Sequence, residues 1–234
     1  MLLLTIFAAI LRMHMLFKNL LVFFLVVFIA CKKENKNYNS RFTLVNAVPD
    51  SKVFRFSFAE TIVDSVLVYG MPVYEKNVPA STSVMEWAHT ASPVFDTSFI
   101  TDIPNASDYT VLFYDSLAER KAFIVKDIWK KESDKKGYIR FFPVVIGGQQ
   151  LNIRNDTNKT IINPKSFGSF AASGSDFTEV DTFTTKLRLY EGAILLDSLP
   201  GTTIAAGKSY SIYAIGVLNA GGEKRPRMIL HQHE

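Results

Sequence analysis

The pattern of apolar and polar positions changes character twice along the chain. Residues 20–30 are unbroken apolar, residues 32–40 are polar, and from Arg41 onward apolar and polar residues alternate in short runs. Phe42 with Leu44, Phe54 with Phe56 and Phe58, Val66 with Val68, and Leu187 with Leu189 each recur with a period of two. That period puts each set on one face of a β-strand. Turn-forming residues stand between the runs: Pro49-Asp50, Gly70-Met71-Pro72, Pro104-Asn105, Gly147-Gly148, Asn155-Asp156, Gly192, Pro200-Gly201 and Gly207. No long stretch past residue 40 keeps the 3.6-residue spacing of an amphipathic helix. Strands at intervals of about 8–12 residues, punctuated by turns, predict an all-β body of antiparallel sandwiches.

A charge-dense stretch, Lys126–Gly137, divides that body, and the sequences on either side mirror one another. Arg-Phe-Thr-Leu-Val-Asn-Ala-Val (41–48) matches Tyr-Ile-Arg-Phe-Phe-Pro-Val-Val (138–145), and Asp108–Tyr114 matches Ser209–Ile215. The offsets, 97 and 101 residues, are the size of an immunoglobulin-like sandwich. The expected organisation is two tandem antiparallel immunoglobulin-like β-sandwich domains, at 41–126 and 138–234, joined by a charged linker at 127–137. The alternative is one large β domain over 41–234.

The apolar run at 20–30 is short of the roughly 20 residues that a spanning helix needs. With Lys18 before it and a small residue at its end, it reads as the core of a signal peptide covering residues 1–30. Met1–Leu11 is also apolar but is broken by Arg12 and His14, so translation is expected to start at Met13 or Met15; the alternative is one long leader. The run ends Phe28-Ile29-Ala30-Cys31. This resembles the lipobox of bacterial lipoproteins, with Phe28 in place of the usual Leu. The resemblance implies cleavage before Cys31 and acylation of that residue. More than one acyl chain makes such anchoring stable. Residues 31–40 then form the lipidated cysteine and a polar tether, whose flexible part spans roughly 16 Å. Lys32 is not the Asp that resembles an inner-membrane retention signal, which points to the outer membrane. The Lys-Lys-Glu-Asn that follows Cys31 loosely resembles the charged stretch of Bacteroidetes surface lipoproteins.

Composition narrows the function classes. At 48% hydrophobic residues and 21% charged, the 234-residue chain is too apolar for disorder. Taking Arg12 and Lys18 from the 26 basic residues leaves 24 against 22 acids, too small an excess for electrostatic nucleic-acid binding. Cys31 is the only cysteine, so neither an intramolecular disulfide nor a multi-cysteine metal site is possible.

Chemical motifs are sparse. Gly207-Lys208-Ser209 has Thr202 where a phosphate loop needs glycine, and reads as a turn. His231 and His233 share one strand face but lack a third ligand, and read as a solvated strand end. His89 alternates with Met85 and Trp87. Asp176, Glu179 and Asp181 read as solvated carboxylates beside turns, against the alternative of a glycosidase pair. No nucleophile elbow or His-Glu-x-x-His motif occurs, so no enzyme, metal or cofactor is expected. Trp87, Tyr69, Tyr74 and Trp129 are the candidate ligand-stacking residues, since amphipathic rings suit a sugar or peptide; the competing reading buries Trp87 in a core and Trp129 at the domain junction. Asp64-Ser-Val, Asp115-Ser-Leu and Asp197-Ser-Leu resemble the O-glycosylation pattern of Bacteroidetes envelope proteins, and equally suit Asp-Ser turns.

Taken together, Leu44–Asp50, Ile139-Arg140-Phe141, Phe167–Phe170 and Ala206–Ile212 resemble the tandem β-sandwich repeats of the bacterial family called domain of unknown function 4397, common in Bacteroidetes lipoproteins. The second opening departs from it, with Phe142-Pro143 replacing an Asn-containing turn, as does Val78–Pro104. The resemblance covers 41–234 and implies no catalytic residue. The expectation is a lipid-anchored, non-enzymatic envelope protein that binds or scaffolds a glycan or another envelope protein. The alternative is a structural spacer or assembly subunit.

Overall fold

The computed structural model describes residues 39–233, apart from 52, 59–60, 80–81, 90–96, 103–106, 129–134 and 171–175; for 39, 53–66 and 73–102 it describes backbone pairing only. Residues 38–234 form one compact unit. The described part is all-β, with one 3-10 turn at Gly222–Lys224. The first eight strands are β1 (Asn39–Asn46), β2 (Val53–Phe58), β3 (Thr61–Val68), β4 (Pro72–Pro79), β5 (Thr82–His89), β6 (Thr97–Asp102), β7 (Asp108–Tyr114) and β8 (Lys121–Asp127). The next eight are β9 (Lys136–Ile146), β10 (Leu151–Arg154), β11 (Thr160–Lys165), β12 (Thr178–Asp181), β13 (Phe183–Glu191), β14 (Ile194–Ile204), β15 (Ser209–Val217) and β16 (Arg227–Gln232).

Four four-stranded sheets result, and the second eight strands repeat the order of the first. Order β4-β1-β7-β8 recurs as β12-β9-β15-β16, and β3-β2-β5-β6 recurs as β11-β10-β13-β14. Even the register recurs. The parallel pair β1–β7 sets Arg41 opposite Asp108, and the parallel pair β9–β15 sets Tyr138 opposite Ser209. These are the residues that the internal sequence match aligns. A positive φ also recurs: Asp115 (φ 79°), just after β7, and Gly216 (φ 117°), near the end of β15, are 101 positions apart. Asp115 tolerates this by accepting from the Ser116 N–H and pairing with Lys121.

Gly216 has no such latitude. A Cβ there would lie 2.5 Å from the Arg225 carbonyl oxygen and 2.9 Å from that of Lys224, both backbone atoms. Gly216→Ala should therefore cost at least the roughly 1–3 kcal/mol of a strained residue, lowering Tm by several degrees in a thermal melt. An unchanged Tm would show that the backbone around Gly216 can relax.

Burial explains the sequence pattern. In the second half, Ile139 and Phe141 of β9 and Ile212 and Ala214 of β15 face Leu151, Ile153, Leu187 and Leu189 of the opposite sheet, forming one core. In the first half, Phe42, Leu44, Val111 and Phe113 form the corresponding core with Leu67. The other faces of β1, β7, β9 and β15 are also buried, because the two sheets that carry them pack on each other. Val45, Ala47, Leu112 and Val125 from one half meet Phe142, Val144, Tyr213 and Ile215 from the other. A strand covered on both faces reads as a continuous apolar run, and β9 is buried from Gly137 to Val145. β13, with one face in water, keeps the alternation.

Two local features differ from the sequence reading. Pro200-Gly201 lies inside β14 instead of ending a strand. Leu199 pairs with Leu187 and Thr202 with Thr185, so Pro200 and Gly201 (φ 59°) together oppose Lys186 in a β-bulge. The difference between the two openings also has a cause. Asn46 ends β1, its side chain accepting from the Val48 N–H and donating to Ser51 and the Leu67 carbonyl. Pro143 offers no such bonds, and β9 runs on to Ile146. The Pro143 carbonyl accepts from the Gly168 N–H on the side of β9 that β12 does not reach, so the missing proline donor breaks no ladder bond.

Candidate functional site

Among the described residues, Tyr69 alone of the four candidate stacking residues has a described side chain. Trp129 and Cys31 lie outside those residues. Trp87, in β5, pairs with Phe56 and Thr97, whereas Tyr74, in β4, pairs with Thr43 of the other sheet. Tyr69 is 9% exposed, and the Arg227 guanidinium lies 4.9 Å from its ring centroid, on the surface a ligand would need. Burial, only partly countered by Arg227, pushes its hydroxyl up to about 12. Tyr69 thus packs in the junction between the halves.

His231 and His233 share a face as expected, with ring centroids 4.7 Å apart. The solvated strand end is corrected: His233 is 5% exposed. Its Nε2 lies 2.8 Å from Ser211 Oγ, at the rim of a polar cluster between the halves. At the centre of that cluster Arg140, 1% exposed, places Nη1 2.7 Å from Asp127 Oδ1. Its Nη2 donates to Thr110 Oγ1 at 2.9 Å and to Ser211 Oγ at 3.3 Å, while Thr110 donates to Asp127. The guanidinium carbon lies 4.8 Å from the centroids of both Phe142 and Phe177. Burial pushes the Asp127 carboxyl up against the opposing pull of Arg140, and lowers His233 to about 2. At the other end of the same interface Lys224 pairs with Asp50, and Tyr114 and Phe123 pack on Phe167 and Phe170. These contacts lock the halves together.

A cleft of about 300 Å³ opens between β11 and β12, the edge strands on one side of the second pair of sheets. It forms because the chain changes sheet here: β12 pairs with β9, and two residues later β13 begins in the opposite sheet. One wall comes from the loop after β10. Asn155 Oδ1 accepts from the backbone N–H groups of Thr157 and Lys159 at 3.1 and 2.8 Å, which fixes the turn and sets Lys159 and Thr160 at the rim. Ile161, Val180 and Phe183 supply apolar lining. Lys136 and Asp181 pair at 2.5 Å across the β9–β12 ladder, with Glu179 and Lys159 close enough to act on them electrostatically.

Within the cleft, Thr185 Oγ1 is buried without a hydrogen-bond partner. An unpaired buried hydroxyl is costly. Thr185→Val removes it at almost constant size, so stability should hold or rise by up to about 1 kcal/mol. A clear fall in Tm would show that the hydroxyl is satisfied within the protein.

Sequence reading treated Asp176, Glu179 and Asp181 as solvated; Glu179 and Asp181 are exposed, but Asp176 is corrected, its side chain half-buried with Oδ2 3.8 Å from Lys165 Nζ. It gave no sign that Lys136 and Asn155 would join Glu179 and Asp181, because they come from three separate strand ends. No protein-family model matches the chain, and no curated protein matches it in sequence.

Proposed function

We propose that the chain is a cell-envelope lipoprotein, anchored through Cys31 in the outer membrane, whose β body is a non-enzymatic binding or scaffolding module. The observation that carries this reading is the lone cysteine at the end of an uninterrupted apolar run, eight residues before β1 begins at Asn39. A tether that short holds the body close to the lipid headgroups. The body is read as two immunoglobulin-like sandwiches in tandem, of the kind found in the domain of unknown function 4397 family. The recurrence of strand order and register supports this. Loops and edges of such sandwiches vary freely over a fixed core, which suits recognition of a surface glycan or an envelope protein.

A second reading, a spacer or assembly subunit of an envelope complex, draws support from the buried junction. Arg140–Asp127 at one end and the Tyr114–Phe170 contact at the other fix the two halves as one piece, as a strut requires. Protease treatment of intact cells, with a Cys31→Ala control, tests the placement. Digestion of the wild-type body in unbroken cells is expected and points to external targets. Protection until lysis would turn the body toward the periplasm and favour the assembly role. Recovery of the wild-type protein in the soluble fraction would contradict the anchoring.

A further inference from the structure

We infer that the cleft between β11 and β12 binds the end of an uncharged glycan, an inference that rests on reading the body as a binding module and names the site and ligand class for it. The argument begins with charge. Lys136 and Lys159 face Glu179 and Asp181, two cations against two anions, with Lys136 and Asp181 in direct contact. Opposite charges interleaved in this way cancel the net field, so a phosphate, sulfate or carboxylate gains no steering and would have to break an existing pair. The same four groups are nevertheless strong hydrogen-bond donors and acceptors set a few ångströms apart. A polyhydroxylated ring, which both donates and accepts at each hydroxyl, can use all of them without bringing a charge.

The lining fits the rest of such a ring. Ile161, Val180 and Phe183 form an apolar part of the cleft, matching the C–H face of a pyranose, and an aromatic side chain is well suited to that contact. The Thr185 hydroxyl has no partner in the protein, which is the condition expected of a group whose partner is a ligand hydroxyl. The volume, about 300 Å³, lies at the lower end of small-ligand sites. It suits the terminal unit of a glycan better than a long chain. Positioning comes from rigid elements, since β12 is paired to β9 and the Asn155 turn holds the opposite rim.

The test uses the full lipidated protein in zwitterionic detergent micelles, titrated by calorimetry and by amide NMR. The probes are N-acetylglucosamine, methyl glucoside, methyl mannoside, methyl galactoside, cellobiose and chitobiose, with sulfate and sialic acid as charged counterparts. At least one neutral sugar is expected to bind saturably, with shifts centred on Thr160, Val180 and Thr185. Thr185→Val and Asp181→Asn should each weaken that binding about tenfold or more without lowering Tm. Binding of sulfate or sialic acid in preference to every neutral sugar would overturn the inference. So would shifts elsewhere on the body, or no saturable binding to any probe. That last result would leave the envelope reading standing provided Cys31 is acylated, whereas an unacylated Cys31 in a sugar-binding protein would retain the cleft and sink the anchor.

Discussion

Arg140→Leu is expected to destabilise the protein by about 3–5 kcal/mol, the cost of leaving one partner of a buried ion pair without the other. Asp127 would remain in the interface between the halves with only Thr110 to donate to it. Thr110 and Ser211 would each lose a donor as well. For a chain of this size about 2–4 °C of Tm corresponds to each kcal/mol, so a fall of roughly 10 °C is anticipated in a thermal melt. The control is the double variant Arg140→Leu with Asp127→Leu. Removing both charges from a buried site is often neutral or better, so the double variant should recover most of the loss. If it were no more stable than Arg140→Leu alone, the loss would come from packing on Phe142 and Phe177 instead of from an orphaned carboxylate.

Acidification should loosen the same interface. In the folded protein His233 stays neutral down to about pH 2, because burial and the nearby His231 and Arg140 disfavour its charged form. In the unfolded chain it titrates near its ordinary value of 6.5. Below that pH the unfolded state binds a proton that the folded state refuses. Stability is therefore full above about pH 6.5 and falls as the pH drops, by up to about 1.4 kcal/mol per unit. His231, also lowered by burial, adds in the same direction. Asp127, whose carboxyl is pushed up, acts in the opposite sense, but only as the pH approaches the carboxylate range. Denaturant midpoints measured from pH 7.5 to 5 should show the decline, and His233→Gln should flatten it. A pH-independent midpoint in the wild type would contradict the buried, neutral imidazole.

Much of the strand architecture was legible because a half-buried strand writes a period of two into its sequence. The match of 41–48 with 138–145 and of 108–114 with 209–215 coincides with β1, β9, β7 and β15, the central strands of the two doubly covered sheets. These strands are the least free to vary, since both faces are packed. What the alternation could not say is what covers the second face. Tyr-Ile-Arg-Phe-Phe-Pro-Val-Val carries that information as a continuous run, and Arg140 within it carries more: a charge in a doubly buried strand must find a counter-charge. Its partner was hidden because Asp127 stands in a charge-dense stretch that reads as linker. His233 was misplaced for a related reason, since a strand next to the chain end looks solvated until another sheet covers it. Pro200-Gly201 carries turn chemistry that a bulge uses equally well. The cleft was the least legible of all. Lys136, Asn155, Glu179 and Thr185 come together only where the chain crosses between sheets, and no local spacing encodes that crossing.

In the proposed lipoprotein, Cys31 decides where the body is held and what it can meet. Intact-mass and N-terminal peptide analysis of the protein extracted from membranes addresses this directly. The account predicts a mature chain that begins at Cys31, carries diacylglycerol on its sulfur and a further acyl chain on its amino group, and leaves the membrane fraction in Cys31→Ala. A mature chain with a free Cys31 thiol, or one that begins at another residue, would contradict it.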